Sequence, residues 1–346
     1  MIRLLTTLAF VLVTLVGFDD WLSKRQAAEQ MRASRLQLLF DPSSEIVPER
    51  IRRIEVHAGA GRRIWVYEKI GKHWRYPSYH GAYIQQDRVD FLLNSLLASY
   101  GTVVSDDRTE DHKYGLTAQQ AVQVILADDS GTLGEVSVGR GPSGPRAGEA
   151  FIRHNRKNAL TFHLHANPRH ALVGGNPPML DPYLLPKALP RKSIVKVNFI
   201  TTRPAPQQLR RVDKPLPRDG SPLLHPGEYT YDWIISYTES QIDTCLSNNV
   251  FTFMGFLKNL RFKSLYNPND SSYGFSDNDR IELVDEDGTM DILHFGRSEE
   301  GTVYIRNAAA GLVCSVDLNN AELLFPKPGA LTDSLTDSSP YQVTKQ

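Results

Sequence analysis

Apolar positions along this chain change period several times, and the changes come twice in the same order. Ile51, Ile54 and Val56 open a period of two, which continues through Ile64 to Tyr67 and His73 to Tyr76. Ile70-Gly71-Lys72 fits a hairpin turn between the last two runs. Over Gln85 to Tyr100 the spacing becomes helical: Val89, Leu92, Leu93, Leu96, Leu97 and Tyr100 form one apolar stripe. A polar connection from Ser105 to Lys113 follows. Four short strands are then predicted around Val122/Val124/Leu126, Leu133/Val136/Val138, Phe151 and Leu160/Phe162/Leu164, with turns at Asp128-Asp129-Ser130-Gly131 and Asn155-Arg156-Lys157-Asn158. The order then restarts. Ile194, Val197 and Phe199 reopen the strand pattern, and Tyr229 to Tyr237 continues it around Trp233. Ile242, Leu246, Val250, Phe253, Met254, Leu257 and Leu260 predict a second amphipathic helix, and another meander follows.

The two meanders share short phrases. Tyr114-Gly115-Leu116 answers Tyr273-Gly274-Phe275, and Val122-Gln123-Val124 answers Ile281-Glu282-Leu283. Val138-Gly139-Arg140 answers Phe295-Gly296-Arg297, and Phe151-Ile152-Arg153 answers Tyr304-Ile305-Arg306. The offset between copies shrinks along the phrase, and each slip coincides with a Gly-rich or polar turn, where length changes are cheap. Such self-similarity indicates an internal duplication.

The pattern predicts an α+β class: an N-terminal transmembrane helix, then two tandem repeats, each a mainly antiparallel sheet with one packed amphipathic helix. The expected divisions are an anchor over 1–22, a helical stalk over 23–44 and a first repeat over 45–175. A Pro-rich linker over 176–190 leads to a second repeat over 191–325. Residues 203–228, rich in Pro and Arg, read as an irregular loop insertion, and 326–346 as a disordered tail.

The anchor rests on Leu4 to Phe18, an uncharged and mainly apolar run preceded by Arg3. At a helical rise it covers about 22 Å, and Ile2 to Leu22 reaches roughly 31 Å, enough for a hydrocarbon core of about 30 Å. Trp21 would sit at the interface with Arg3 snorkelling. Signal peptides have a similar profile, but Val16-Gly17-Phe18-Asp19-Asp20 lacks a small-x-small cleavage pattern, which favours an uncleaved anchor. The expected location is a bacterial inner membrane, crossed once, with the body in the periplasm. Lys24, Arg25, Arg32 and Arg35 beyond the span argue for the opposite orientation.

Charge changes the picture little. The 39 basic and 39 acidic residues cancel, so no global field points to nucleic acid. The two cysteines, Cys245 and Cys314, are too few for a disulfide scaffold or a metal motif. They fit either two buried thiols or a single bridge in an oxidising compartment.

Candidate chemistry is sparse. His163 and His165 share a strand face, and His154 could join them around zinc, but the second copy has Ser315 and Asp317 in their places. Asp285-Glu286-Asp287-Gly288 lacks the rest of a calcium loop and matches the hairpin tip at Asp128. Gly139-Arg140-Gly141-Pro142-Ser143-Gly144 leads from strand to strand, not into a helix N-terminus that could cradle phosphate. No G-x-S-x-G, H-E-x-x-H or zinc-ligand cysteine motif occurs. No catalytic residue, cofactor or metal ligand is therefore expected. Arg153 and Arg306 recur at matching strand positions, which predicts an arginine paired with a nearby carboxylate, or a binding site built twice. Arg140 and Trp74 complete the candidate binding residues.

These motifs resemble the bacterial family termed domain of unknown function 4340. The resemblance is carried by Lys72-His73-Trp74-Arg75, the helix Val89 to Tyr100, Tyr114-Gly115-Leu116, Val138-Gly139-Arg140 and Ala150-Phe151-Ile152-Arg153. It covers residues 50–170 well and 190–320 more loosely, since Phe275 replaces the leucine. It implies a single-span, non-enzymatic periplasmic accessory subunit of an ABC-2-type (gliding-type) exporter. Its partners would be the permease and, through it, the ATPase. It transfers no catalytic residue. An alternative reading is a stand-alone binding module for envelope glycan, lipid or peptidoglycan, motivated by Trp65, Trp74, Tyr76, Tyr79 and Tyr83.

Overall fold

A computed structural model describes residues 36–40, 46–141, 148–155, 160–214 and 231–332. The expected anchor and the expected tail beyond residue 332 lie outside them; over 326–332, where disorder was also expected, the chain is packed, with Leu331 fully buried and its carbonyl accepting Leu246 N–H at 2.9 Å. Among the described residues no helix is long and apolar enough to cross a membrane. In chain order the first half contains β1 (Leu36–Leu38), β2 (Arg53–Ala58), β3 (Arg63–Ile70), β4 (His73–Tyr76) and β5 (Ala82–Tyr83). It continues with α1 (Gln86–Leu97), β6 (Tyr100–Ser105), β7 (Val122–Asp128), β8 (Gly131–Val138), β9 (Ala150–His154) and β10 (Thr161–Leu164). The second half contains β11 (Ile194–Ile200), β12 (Gln208–Asp213), β13 (Tyr231–Ser236), β14 (Ile242–Thr244) and α2 (Ser247–Asn259). It ends with β15 (Ser264–Tyr266), β16 (Arg280–Asp285), β17 (Met290–Glu299), β18 (Thr302–Asn307), β19 (Leu312–Asp317) and the short α3 (Leu318–Glu322).

The chain forms two compact units. One comprises the described residues up to Lys69 and Gln86–Met179; the other comprises Ile70–Gln85 and the residues from Leu180 onward. In the first unit the antiparallel strand order is β1-β6-β10-β9-β8-β7-β2-β3. In the second it is β15-β19-β18-β17-β16-β11-β12-β13-β14. Strand for strand, β6-β10-β9-β8-β7-β2-β3 corresponds to β15-β19-β18-β17-β16-β11-β12, and β4 and β5 correspond in chain order to β13 and β14. The same topology built twice is the structural form of the repeated phrase.

Register fixes the correspondence residue by residue. Val122 lies opposite Val138, and Val138 opposite Ile152. In the second copy Phe295 donates its N–H to Asp279 and lies opposite Ile305. Val122-Gln123-Val124 therefore answers Asp279-Arg280-Ile281, two residues before the match expected from sequence. A slip of two preserves which residues face the core, so hydrophobic alternation alone does not detect it. The preceding strands agree, because Ile54 and Val56 of β2 and Val197 and Phe199 of β11 are buried opposite the equivalent residues.

Several expectations are corrected. Leu36–Leu38, placed in a helical stalk, pairs as β1 with β6. Leu39 and Phe40 beyond it are buried. Tyr100, placed on the first helix, belongs to β6 and is exposed, and Ile242, placed on the second, belongs to exposed β14. The expected loop 203–228 contains β12, paired on both sides and contributing buried Leu209. The Pro-rich stretch is packed rather than a free linker. Asp181 is 1% exposed; its carboxylate accepts the N–H groups of Ala188 and Tyr183 at 2.9 and 3.3 Å. Burial pushes that carboxyl's pKa up, and these donors pull against the shift. Leu184 and Leu185 enter the second unit's core with Ala82 and Tyr83, which explains why Ile70–Gln85 clusters there.

Candidate functional site

The repeated Tyr-Gly and Gly-Arg phrases form one local device in each unit. Gly115 and Gly274 adopt left-handed backbone (φ +63° and +67°), turning the chain back over the sheet. The carbonyl oxygen before each glycine then presses on the strand glycine. A Cβ at Gly139 would lie 2.1 Å from Tyr114 O, and one at Gly296 would lie 2.4 Å from Tyr273 O. Only glycine admits that approach. The turn therefore covers the outer face of the sheet beside the recurring arginine.

On that face the first unit presents a cross-strand row: His57 opposite Gln123, Gln123 opposite Ser137, Ser137 opposite Arg153 and Arg153 opposite Thr161. Arg153 is only 3% exposed. Its Nη1 pairs with the Asp111 carboxylate. Nε and Nη2 donate to Thr161 Oγ1 at 3.2 and 2.6 Å, and Nη2 reaches the Asp107 carbonyl at 3.4 Å. Asp111 is placed by the connection after β6. Asp107 accepts Thr109 N–H at 2.8 Å to cap a 3-10 turn over Arg108–Glu110, and Leu116 N–H returns to Asp111 O at 2.9 Å. The Thr109 hydroxyl, donating to the Asp107 carboxylate at 2.6 Å, and then the Thr109 N–H hold that carboxyl below its usual pKa.

A cavity of about 480 Å³ opens beside this ion pair, with Arg108, His57, Gln123, Ser137 and Asn155 in its walls. Glu135 orders one wall, accepting Gln123 Nε2 at 2.5 Å and Asn155 Nδ2 at 3.0 Å. Ser137 Oγ donates to Asn155 Oδ1 at 3.1 Å, so its hydroxyl addresses an amide rather than a base. On the other side Glu55 bridges His57 and Arg53 at 3.1 and 2.9 Å. The cavity is lined by fixed amides, the Asp111 carboxylate and the two guanidiniums of Arg108 and Arg153. It offers hydrogen bonds to a polar ligand.

The equivalent row of the second unit is different. Ile200 lies opposite Arg280, Arg280 opposite His294, His294 opposite Arg306 and Arg306 opposite Val313. Arg306 stands 5.0 Å from the centroid of the Phe275 ring. Among the described residues no carboxylate pairs with it. Glu282 accepts Asn198 Nδ2 at 3.0 Å and Arg280 Nε at 2.9 Å, and these bonds, Asn198's before Arg280's, hold its pKa below the usual value against the pull of burial. Next to Arg306, Tyr273 and Tyr304 lie 4.8 Å apart, and Tyr266 lies 5.1 Å from Tyr304.

Of the residues singled out from sequence, Arg153 has the expected carboxylate partner, whereas Arg306 has a ring instead. Trp74 is 2% exposed and so offers no ring surface to a ligand. Arg140 is exposed at the end of β8, outside the cavity wall. Its charge adds to burial in lowering the pKa of Arg169. His163 and His165 do share a face, gathered by Glu149 at 2.8 and 3.7 Å, with His163 stacked 5.0 Å from Phe151. Among the described residues no three His, Cys, Asp or Glu side chains are arranged to hold a metal. Both acidic tips are turns: Asp128 accepts from Ser130 and Gly131, Asp285 from Asp287 and Thr289. Cys245 and Cys314 are separate buried thiols, each pushed up to about 12 by burial. Sequence reading missed Asp111, Thr161 and the Glu135 network. Their signal was present in Gln123, Glu135 and Ser137, polar residues alternating with buried Val124, Val136 and Val138. No family model matches the chain, and neither a curated protein nor a solved structure matches it.

Proposed function

We propose that this protein is a membrane-anchored periplasmic accessory subunit of an ABC-2-type export complex, serving as a non-catalytic platform for a partner or substrate. The carrying observation is a single module built twice, with the scaffold kept and the outer face changed around one retained arginine. Duplication followed by divergence of one face suits recognition of two features of a partner. The apolar run at Leu4 to Phe18 supports the anchor, and the shared motifs support the exporter context. The polar cavity beside Arg153 supports recognition by hydrogen bonds. Purification of the full-length chain from its native membranes in mild detergent tests the proposal. Recovery of a permease and an ATPase is expected; their absence, with the tagged chain intact, would count against it.

A second reading, a glycan-, lipid- or peptidoglycan-binding module independent of a transporter, has one observation in its favour: the half-buried rings of Tyr266 and Tyr304 beside Arg306, backed by buried Tyr273. Trp74 and Tyr83, part of its original motivation, are core residues. Glycan and lipid arrays probed with the full chain distinguish the readings, and binding without co-purified transport subunits would favour this one.

A further inference from the structure

The first unit shows what fills the space around the recurring arginine: a carboxylate. Asp111 supplies it from the connection between β6 and β7, and Thr161 supplies a second acceptor from the neighbouring strand. In the second unit neither group meets the arginine: Asp270, three residues before Tyr273 as Asp111 is before Tyr114, accepts Ser272 N–H at 2.8 Å instead. The connection between β15 and β16 is shorter, and the residue opposite Arg306 is Val313 instead of threonine. A guanidinium carries five N–H donors and no acceptor. The Phe275 ring orders the plane of Arg306 without satisfying those donors. The rest of the row differs too: Arg280 and His294 stand where the first unit has Gln123 and Ser137, with Arg280 paired to Glu282 at 2.9 Å.

We propose that Arg306, with His294 and Arg280 beside it, is a binding site for an external carboxylate, taking from a ligand the group that Asp111 provides internally in the first unit. The assignment is independent of the exporter reading. Arg153 gives one terminal nitrogen to Asp111 and its other donors to Thr161; with no internal partner, Arg306 keeps its whole fork for the carboxylate. His294 is 8% exposed and reports on the site. Burial and then the Arg306 charge hold its pKa down, opposed by a bond to the Ser276 backbone and by Asp277 at 3.5 Å, with Arg280 adding to the depression. A carboxylate bound at Arg306 therefore raises it.

The test uses the full-length chain in nonionic detergent, with the His294 ring followed by NMR while acetate replaces chloride at constant ionic strength. A saturable shift and an upward move of the His294 pKa are expected. The response should be lost in Arg306→Gln, weakened in Arg306→Lys, which keeps the charge without the fork, and kept in Lys196→Gln elsewhere on the sheet. The thermal midpoint should also rise in acetate over chloride for wild type, giving a readout that does not depend on the variants folding. A response no larger than that to chloride, or one that survives in Arg306→Gln, would overturn the proposal. Saturation by inorganic phosphate with none by acetate would overturn the carboxylate assignment.

Discussion

Replacing Gly139 and Gly296 by alanine, one at a time, probes the device that the two units share. The obstacle at each is a backbone carbonyl rather than a flexible side-chain tip, with the new Cβ placed 2.1 Å from Tyr114 O or 2.4 Å from Tyr273 O. In the first unit that carbonyl is fixed by left-handed Gly115 and by N–H bonds from Tyr114 and Leu116 to Asp111 O at 3.2 and 2.9 Å. Relief requires the turn to lift by about 1 Å. Overpacking of this kind costs about 1–3 kcal/mol, and a backbone obstacle belongs at the top of that range. Alanine loses less conformational freedom than glycine on folding, which returns roughly 0.5–1 kcal/mol. The net expectation is about 2 kcal/mol in either variant, or a fall of about 4–8 °C in the unfolding midpoint of the unit that carries it. Urea unfolding with a check for constant slope measures it. Gly288→Ala is the comparison: it has left-handed backbone but open space, so only conformational strain of about 1 kcal/mol is expected. If Gly139→Ala or Gly296→Ala falls within about 0.5 kcal/mol of wild type, the close-approach reasoning is refuted.

The thiols of Cys245 and Cys314, with pKa values pushed up to about 12, should resist alkylation at pH 8 in the folded protein. Mass spectrometry should show both modified only after denaturation, and a Cys245–Cys314 disulfide in folded material would contradict the structure. Asp128 is held at about 2, first by Ser130 and then by Arg50. Because its folded pKa lies below its unfolded value, its stabilising contribution is present above the unfolded value, near 4, and is lost as pH falls through 2. Carbon NMR of the Asp128 carboxyl should show that low midpoint, and Arg50→Gln should raise it; an unchanged midpoint would remove Arg50 as a cause.

Much of the fold was legible because its signals are local. The Tyr-Gly and Gly-Arg phrases survive in both copies since a backbone carbonyl touching a strand leaves no room for a side chain. Buried alternation at Ile54/Val56 and Val197/Phe199 marked the central strands. Alternation could not fix the register, because moving by two residues leaves the same faces inward. The helix ends were misplaced for a related reason: Tyr100 and Ile242 continue the apolar spacing but lie on strands. β12 was hidden because Gln208–Asp213 buries a single large apolar residue, Leu209, among charged neighbours. The prolines before Pro190 suggested a free linker, yet Leu184 and Asp181 are held by partners distant in sequence or by backbone donors. At the site, a carboxylate for Arg153 was foreseeable from charge balance. That Asp111 supplies it, while its counterpart Asp270 caps a turn and leaves Arg306 unmet, depends on how each connection folds and on one threonine-to-valine difference, which only the paired copies in three dimensions reveal.

One arginine is built twice, neutralised within the chain in the first unit and left open in the second. Asp111→Asn would strand the Arg153 charge, whose side chain is 4% exposed, while the Asp111 side chain is 26% exposed. Breaking a buried pair costs about 3–5 kcal/mol, and Asp111's partial access to water reduces this to about 2–3. Arg306→Gln removes only a cation–ring contact, worth below about 1 kcal/mol. The most direct measurement is therefore the unfolding free energy of these two variants side by side in carboxylate-free buffer. A loss of about 2–3 kcal/mol is expected for Asp111→Asn and below about 1 kcal/mol for Arg306→Gln; equal losses, or a larger one at Arg306, would show that Arg306 is not open.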